Sequence, residues 1–178
     1  MRPSRTSCPQ QLAGARKCLV ERGWAHTTVR DIAEAAGVNH AAIGYHFGSK
    51  EALLTQALMD AMDDLGAELS DRGPGKTPEE AWQKLIDSFA THRTLWIAQL
   101  EAVVQAERSA TVREHVARGH REGREGLGGS VPLALLMGLM LQSLVDPEST
   151  PSGHDVVADL HSVAKGLAHA HFDDADAN

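Results

Sequence analysis

The sequence predicts an all-α protein, and three observations favour that class. Aromatic residues make up only 4% of the 178 residues, and the aromatic and β-branched types that favour strands are scarce beside Ala, Leu, Glu, Gln and Arg, which favour helices. The apolar share of 42% is enough for a core, and the charged share of 23% is typical of globular chains. Capping residues and glycines divide the chain into about nine helical segments, with no strand pattern and no internal repeat.

The first 50 residues predict three short helices. The first carries an apolar stripe, Leu12, Ala15, Leu19 and Val20. Thr28, with Asp31 in the following turn, is typical of an N-cap, and Gly37 is typical of a helix end. Asn39 then caps a third segment that runs from His40 to Phe47.

The rest of the chain predicts six longer helices. Ser49 caps the first of them, and Thr77-Pro78 is a favourable start for the second. The third spans Leu95 to Ala106, and its inner side is expected to carry Ile97, Leu100 and Val104. Thr111 and Glu114 form a capping box for a polar helix ending near Gly126. Residues 131–145 are apolar on nearly every side and are therefore expected to be buried all round. The last helix covers residues 154–171.

The charge of the chain is unevenly distributed. Residues 1–50 hold seven Lys and Arg against three acidic residues, a net charge of +4, whereas residues 51–178 hold ten against twenty-one, a net charge of −11. A basic head on an acidic body indicates a polyanionic partner for the head. Chance clustering is the alternative explanation.

The sequence also predicts a location. Cys8 and Cys18 lie ten residues apart on one predicted helix, about 15 Å, which is too far for a disulfide, so we expect free thiols in a reducing compartment. The polar N-terminus does not resemble a signal peptide. The longest apolar run, residues 131–141, is too short to span a membrane. We therefore expect a cytoplasmic protein with no membrane partner.

Residues 28–47 have the spacing of a helix-turn-helix, in which the second helix enters the major groove of DNA. An ordinary pair of antiparallel helices would give the same pattern. Two facts favour DNA. The basic charge coincides with this segment, and the positions expected to be exposed are neither Glu nor Asp but Asn39, His40, Tyr45 and His46.

The segment TTVRDIAEAAGVNHAAIGYHFGSKEALL, residues 27–54, resembles the N-terminal domain of the TetR/AcrR family of transcriptional repressors. The positions in register are Thr28, Ile32-Ala33, Ala36-Gly37-Val38, Tyr45-His46-Phe47, Ser49-Lys50-Glu51 and Leu53-Leu54. The resemblance implies a homodimer with a DNA-binding domain, here residues 1–52. It also implies a second domain, residues 53–178, that binds a small inducer and dimerises through its last two helices. We expect those helices to form an isologous four-helix interface.

Eleven residues are candidates for contact with double-stranded DNA. They are Thr27, Thr28, Arg30, Asn39, His40, Ala41, Ala42, Gly44, Tyr45, His46 and Lys50. Tyr45, His46 and Lys50 match family positions that touch the DNA backbone, and Lys50 is the preferred phosphate contact. The family often has Tyr where this chain has Gly44. Small residues at positions 41, 42 and 44 let the backbone approach the groove closely, which predicts few bidentate base contacts and much phosphate and shape readout.

Six residues are candidates for an apolar inducer cavity: Trp82, Phe89, Trp96, Glu101, Met137 and Met140. Plain core filling is the alternative for each of them, and partial exposure is the alternative for Glu101. The predicted function is a repressor released from a palindromic operator by a small molecule. The alternatives are a helical interaction protein and, less favoured, an enzyme. No catalytic signature and no zinc spacing appears among the ten histidines, so we expect no cofactor and no metal.

Overall fold

The computed structural model describes residues 7–71, 75 and 77–173, and within these ranges the chain folds into nine α-helices and no strand. The all-α prediction is confirmed. The helices are α1 (Ser7–Arg22), α2 (Val29–Ala36), α3 (His40–Phe47), α4 (Lys50–Asp71), α5 (Pro78–Thr91), α6 (Arg93–Ala106), α7 (Ala110–Leu127), α8 (Ser130–Val145) and α9 (Gly153–Asp173). A single 3₁₀ turn, Pro147–Ser149, lies between α8 and α9.

Local capping defines the short helices α2 and α3. The amide of Asp31 donates to Thr28 Oγ1 at 3.2 Å, while the Asp31 carboxylate accepts the Thr28 amide at 2.8 Å. Gly37 ends α2 with φ 64°, a left-handed conformation that suits glycine. Asn39 Oδ1 then accepts the amide of Ala41 at 3.0 Å and starts α3. These three predicted caps are confirmed.

Helix α4 joins the head to the body. Its first turn is capped by Ser49, whose Oγ accepts the Ala52 amide at 3.0 Å. Leu53, Leu54 and Leu58 on α4 are fully buried in a core shared with α1, and the same helix also packs against α6 and α7. The predicted boundary between residues 52 and 53 falls inside this continuous helix, so the division into 1–52 and 53–178 stays a prediction.

The body is built from α5 to α9 around a second part of the core. Phe89 and Trp96 meet edge to face with ring centroids 5.5 Å apart, a geometry that aromatic pairs prefer. The Trp96 indole N–H donates to the carbonyl and the hydroxyl of Ser88 at 3.1 and 3.2 Å. Helix α9 packs along α5 through Val156 and Val157.

Two local predictions are wrong. Helix α7 is capped by Ser109, whose Oγ accepts the Val112 amide, and Thr111 lies inside the helix. This register buries Val112 and Val116. On α6 the buried face carries Leu95, Trp96, Ala98, Gln99 and Ala102, whereas Val104 is exposed. The reason is that α6 packs against α1, α4 and α7 at once, so contacts distant in sequence set its orientation.

Helix α8 is not buried all round in the single chain. Val131 and Val145 are 71% and 80% exposed, and only one face packs inward, through Leu136, Leu139 and Met140. Helix α9 also carries exposed apolar side chains, because residues 161–168 are all exposed and include Val163 and Leu167. The prediction failed because a fully apolar helix can also face a partner.

The structure also describes the side chain of one of the two cysteines and the length of the apolar helices. Cys18 is a buried free thiol, and burial raises its pKa. The side chain of Cys8 lies outside the described residues. No single described helix is long and apolar enough to cross a membrane, and α7 and α8 reach that length and composition only together, across a bend of 110°.

Packing of α1 on α2 gives the first testable prediction. A Cβ at Gly14 would lie 2.8 Å from the Cβ of Ala36 and 2.9 Å from the carbonyl oxygen of Ile32, which is backbone and cannot turn away. Gly14→Ala should therefore lower the free energy of unfolding by about 1–3 kcal/mol in denaturant titrations. Gly66→Ala on α4 is the matched control, because no atom lies within 4 Å of its Cβ. It should be neutral or stabilise by up to about 1 kcal/mol. Equal stability of the two variants would contradict the close α1–α2 contact.

Candidate nucleic-acid interface and ligand cavity

Helix α3 presents one buried and one exposed face. Ile43 is 1% exposed and packs into the core of the head, so the opposite side of α3 points outward. Asn39, Ala41, Gly44 and Tyr45 lie on that exposed side. The Tyr45 ring is 74% exposed and meets the His46 ring edge-on at 5.4 Å. The structure thus brings together most of the candidates predicted on α3. The side chains of His40 and Ala42 lie outside the described residues, so their roles stay predictions.

Gly44 has no side chain, so the backbone is uncovered in the middle of the exposed face of α3. No described atom lies within 4 Å of the position that a Cβ would occupy, so nothing in the described part of the protein requires a glycine there. A glycine within a helix costs about 1 kcal/mol relative to alanine. The exposed backbone at Gly44 is therefore a feature that the head alone does not explain, and close approach to a groove would explain it.

The structure contradicts the prediction that the side chain of Thr27 contacts DNA. Its side chain is 1% exposed, and its hydroxyl donates to the carbonyl of Gly23 at 2.7 Å. The sequence placed Thr27 beside an exposed cap, but the turn after α1 folds it inward. Its side chain is therefore not available to DNA.

Thr28 is exposed at the start of α2, but its amide and its hydroxyl are both hydrogen-bonded to the Asp31 carboxylate. Its hydroxyl donates to the Asp31 carboxylate at 2.6 Å. The two hydrogen bonds from Thr28, followed by the charge of Arg22 at 2.6 Å, hold the pKa of Asp31 below its usual value. A negative charge therefore already occupies this helix N-terminus, which weakens it as a phosphate site.

Most cations of the described part of the head are paired with acidic side chains. Arg16 pairs with Asp64, Lys17 with Glu21 at 4.0 Å, and Arg22 with Asp31 at 2.6 Å. Lys50, the preferred phosphate contact, donates to the Thr27 carbonyl at 3.2 Å and lies 3.9 Å from the Glu51 carboxylate.

Arg30 differs from these cations. It is exposed on α2, and no ion pair involves it among the described residues. The geometry therefore favours Arg30 over Lys50 as a contact to phosphate.

The structure also contradicts the prediction that Glu101 lines the inducer cavity. This residue does not line the cavity but reaches from α6 to the turn after α1, where its Oε2 accepts the amides of Trp24 at 3.0 Å and Ala25 at 3.3 Å. This carboxylate connects the body to the head across 77 residues of sequence. No local pattern reveals such a contact.

A cavity of about 720 Å³ lies among α4, α5, α6, α7 and α8. Of the predicted lining residues, Trp96, Met137 and Met140 do line it. Trp82 and Phe89 do not, although other residues of the same helix, α5, line it. The sequence prediction missed Met59, Met62, Gln99 and His120. It also missed Gly119, Gly123 and Gly126, whose spacing on one face of α7 is the signal that could have indicated this space.

Metal binding has no support in the described part of the chain, where no group of three or more His, Cys, Asp or Glu side chains could hold an ion. His115 bonds the carbonyl of Thr111 through Nδ1, and His120 faces the cavity.

Comparison with known proteins shows which proteins the head is similar to. Residues 12–57 match the family model of bacterial regulatory proteins of the tetR family. The head therefore carries a domain of the tetR type. The transcriptional repressor KstR2 of Rhodococcus jostii is 47% identical over 47 residues, which cover 26% of this chain and 23% of that protein. The transcriptional regulator TtgR of Pseudomonas putida is 46% identical over 55 residues, or 31% and 26%. The chain thus matches about a quarter of the length of these curated relatives.

Solved structures extend the likeness to the fold of the whole chain. A transcriptional regulator from Rhodococcus sp. Rha1 covers 90% of this chain and 97% of its own, with a TM-score of 0.66 and 22% identity. The multidrug binding protein EbrR, complexed with imidazole, covers 89% and 96%, with a TM-score of 0.67 and 21% identity. The likeness covers the body as well as the head, and at this level of identity it shows a shared fold.

Gly44 provides a test that separates folding from DNA contact. Gly44→Ala should raise the free energy of unfolding by up to about 1 kcal/mol, because the helix gains a better helix former and no clash. Its affinity for duplex DNA should fall about tenfold, because the new methyl group prevents close approach. Denaturant titration and fluorescence anisotropy measure the two effects. Affinity that rises together with stability would exclude close approach at this position.

Arg30 provides a test by salt dependence. Arg30→Ala should weaken binding to all DNA sequences and reduce the slope of log affinity against log salt by about one. Arg108→Ala, an exposed cation on the loop between α6 and α7, is the matched control and should leave the slope unchanged. Lys50→Ala measures the weaker candidate under the same conditions. A wild-type slope for Arg30→Ala would remove Arg30 from the phosphate contacts.

Proposed function

We propose that the protein is a cytoplasmic transcriptional repressor that binds an operator as a homodimer and is released by a small molecule. The exposed face of α3, held outward by the burial of Ile43, is the observation that carries this proposal. The TetR-type domain and relatives that are named as repressors support it.

The apolar surface of α8 and α9 supports the dimer. Val131, Val145, Val163 and Leu167 are each at least 60% exposed, and large apolar side chains left exposed on a single chain are typical of surfaces that bind another protein. A two-fold dimer places two copies of α3 about 34–36 Å apart, one turn of DNA, or slightly more. The operator should then be nearly palindromic.

The cavity and the head share one element, helix α6. Trp96 and Gln99 on α6 line the cavity, and Glu101, one half-turn further along, holds the turn after α1. A ligand that shifts α6 would therefore act on the head through a direct hydrogen-bonded contact. Release requires that the ligand bind the DNA-incompetent arrangement more tightly than the competent one.

Duplex DNA binding tests the proposal. The purified chain should bind DNA from its own promoter region with an affinity that falls steeply as salt rises from about 50 to 200 mM. Sedimentation at micromolar concentration should show a dimer. Val163→Glu together with Leu167→Glu should give monomers that bind DNA much more weakly. A monomeric wild-type protein, or one whose DNA affinity does not depend on salt, would contradict the proposal.

Glu101 provides the test of the link between cavity and head. Glu101→Ala should lower operator affinity about tenfold, because the turn before α2 loses two charge-assisted hydrogen bonds. Glu101→Gln, which keeps an acceptor, should lose much less. Glu107→Ala, at the exposed end of the same helix, is the matched control. Operator affinity that is the same in Glu101→Ala as in the wild type would show that the head is positioned without this contact.

A further inference from the structure

The interior of the cavity is apolar and adaptable. The sequence holds five methionines, and all of them except Met1 line the cavity: Met59, Met62, Met137 and Met140. Methionine side chains are flexible, and their sulfur atoms make favourable contacts with aromatic rings. Trp96 adds only its ring to this lining, because its N–H is already bonded to Ser88. These groups suit an aromatic ligand.

Two polar atoms interrupt the apolar lining. Gln99 is 8% exposed, and its Oε1 has no hydrogen-bond partner among the described residues. His120 Nε2 is buried and has no partner in the same part of the chain. Both residues line the cavity, one from α6 and one from α7. A buried polar group without a partner is unfavourable, so a ligand that brings a donor to Gln99 gains more than the bond itself.

Among the described residues that line the cavity, no charged side chain is fully buried. Burial, with a smaller effect of Arg124, lowers the pKa of His120, so this ring is neutral at pH 7. Asp63 and Glu122 line the cavity with exposed side chains, and Lys84 on α5 lines it with a half-buried side chain that already has an interaction partner. An ion moved into the interior would lose its hydration without compensation.

We propose that the ligand of this cavity is an uncharged aromatic compound that carries a hydrogen-bond donor, of which a phenol is the simplest example. The donor is received by Gln99 Oε1, and the rings lie among the methionines and Trp96. The regulatory consequence, release of the operator, rests on the proposed function; the ligand class rests on the cavity alone.

Four matched probes test the ligand class on the full chain at neutral pH: 2-naphthol, naphthalene, 2-naphthoate and 2-naphthylmethylammonium. Binding followed by protein fluorescence should be about tenfold tighter for 2-naphthol than for naphthalene, and weakest for the two ions. Equal or tighter binding of either ion overturns the proposal, and so does saturable binding by none of the four.

Substitutions in the cavity test which residues produce the preference for 2-naphthol over naphthalene. Gln99→Leu removes the unpaired acceptor, so the preference for 2-naphthol over naphthalene should shrink severalfold, and it should vanish when His120→Phe is added. Gln10→Leu makes the same change at an exposed position of α1 and should alter nothing. Gly126→Leu, where the new Cβ meets no atom within 4 Å, should fill the cavity and weaken all probes. Thermal unfolding checks that each variant is folded. A naphthol preference that survives in the double variant overturns the assignment.

Operator binding in the presence of each probe separates this inference from the proposed function. If 2-naphthol binds in a Gln99-dependent way but leaves the operator bound, the ligand class stands and ligand-induced release fails. If an ionic probe releases the operator, and Gly126→Leu abolishes that release, the proposed function stands and the ligand class fails.

Discussion

Burial of Ile32 and Ile43 in the head is the interaction on which the rest of the structure depends. Helices α2 and α3 have eight residues each, which is too short for a helix to be stable alone in water. Their caps satisfy the ends, and the two isoleucines, at 0% and 1% exposure, attach them to α1 and α4. Because Ile43 fixes which side of α3 points inward, it also fixes which side is exposed, and this is the side that we propose contacts DNA.

Several positive charges of the head form ion pairs within the protein. Ion pairs occupy Arg16, Lys17 and Arg22, so the positive charge counted from the sequence overstates what the head offers to phosphate. The flat face of α3 at Gly44 and the exposed Arg30 then gain importance. This balance favours close backbone approach and shape readout over long side-chain arms that contact bases.

Local signals in the sequence predicted the head well. Thr28, Gly37 and Asn39 act on neighbouring residues, and each lies where its capping chemistry requires. The failures arise where distant segments meet. The contact of Glu101 with Trp24 and the exposed position of Val104 depend on the packing of α6 against other helices, and the burial of Thr27 depends on the fold of the turn after α1. The cavity depends on five helices together, and only the glycine spacing on α7 indicated it in the sequence.

Selection from randomised duplex DNA tests the central claim most directly. We expect the wild-type chain to enrich a near-palindrome whose half-sites lie about one helical turn apart. We also expect Tyr45→Ala, a change on the exposed face of α3, to weaken or alter this selection while leaving thermal unfolding unchanged. Enrichment of no sequence, or of the same sequence with the same strength by both proteins, would contradict the assignment of α3 as the element that reads DNA.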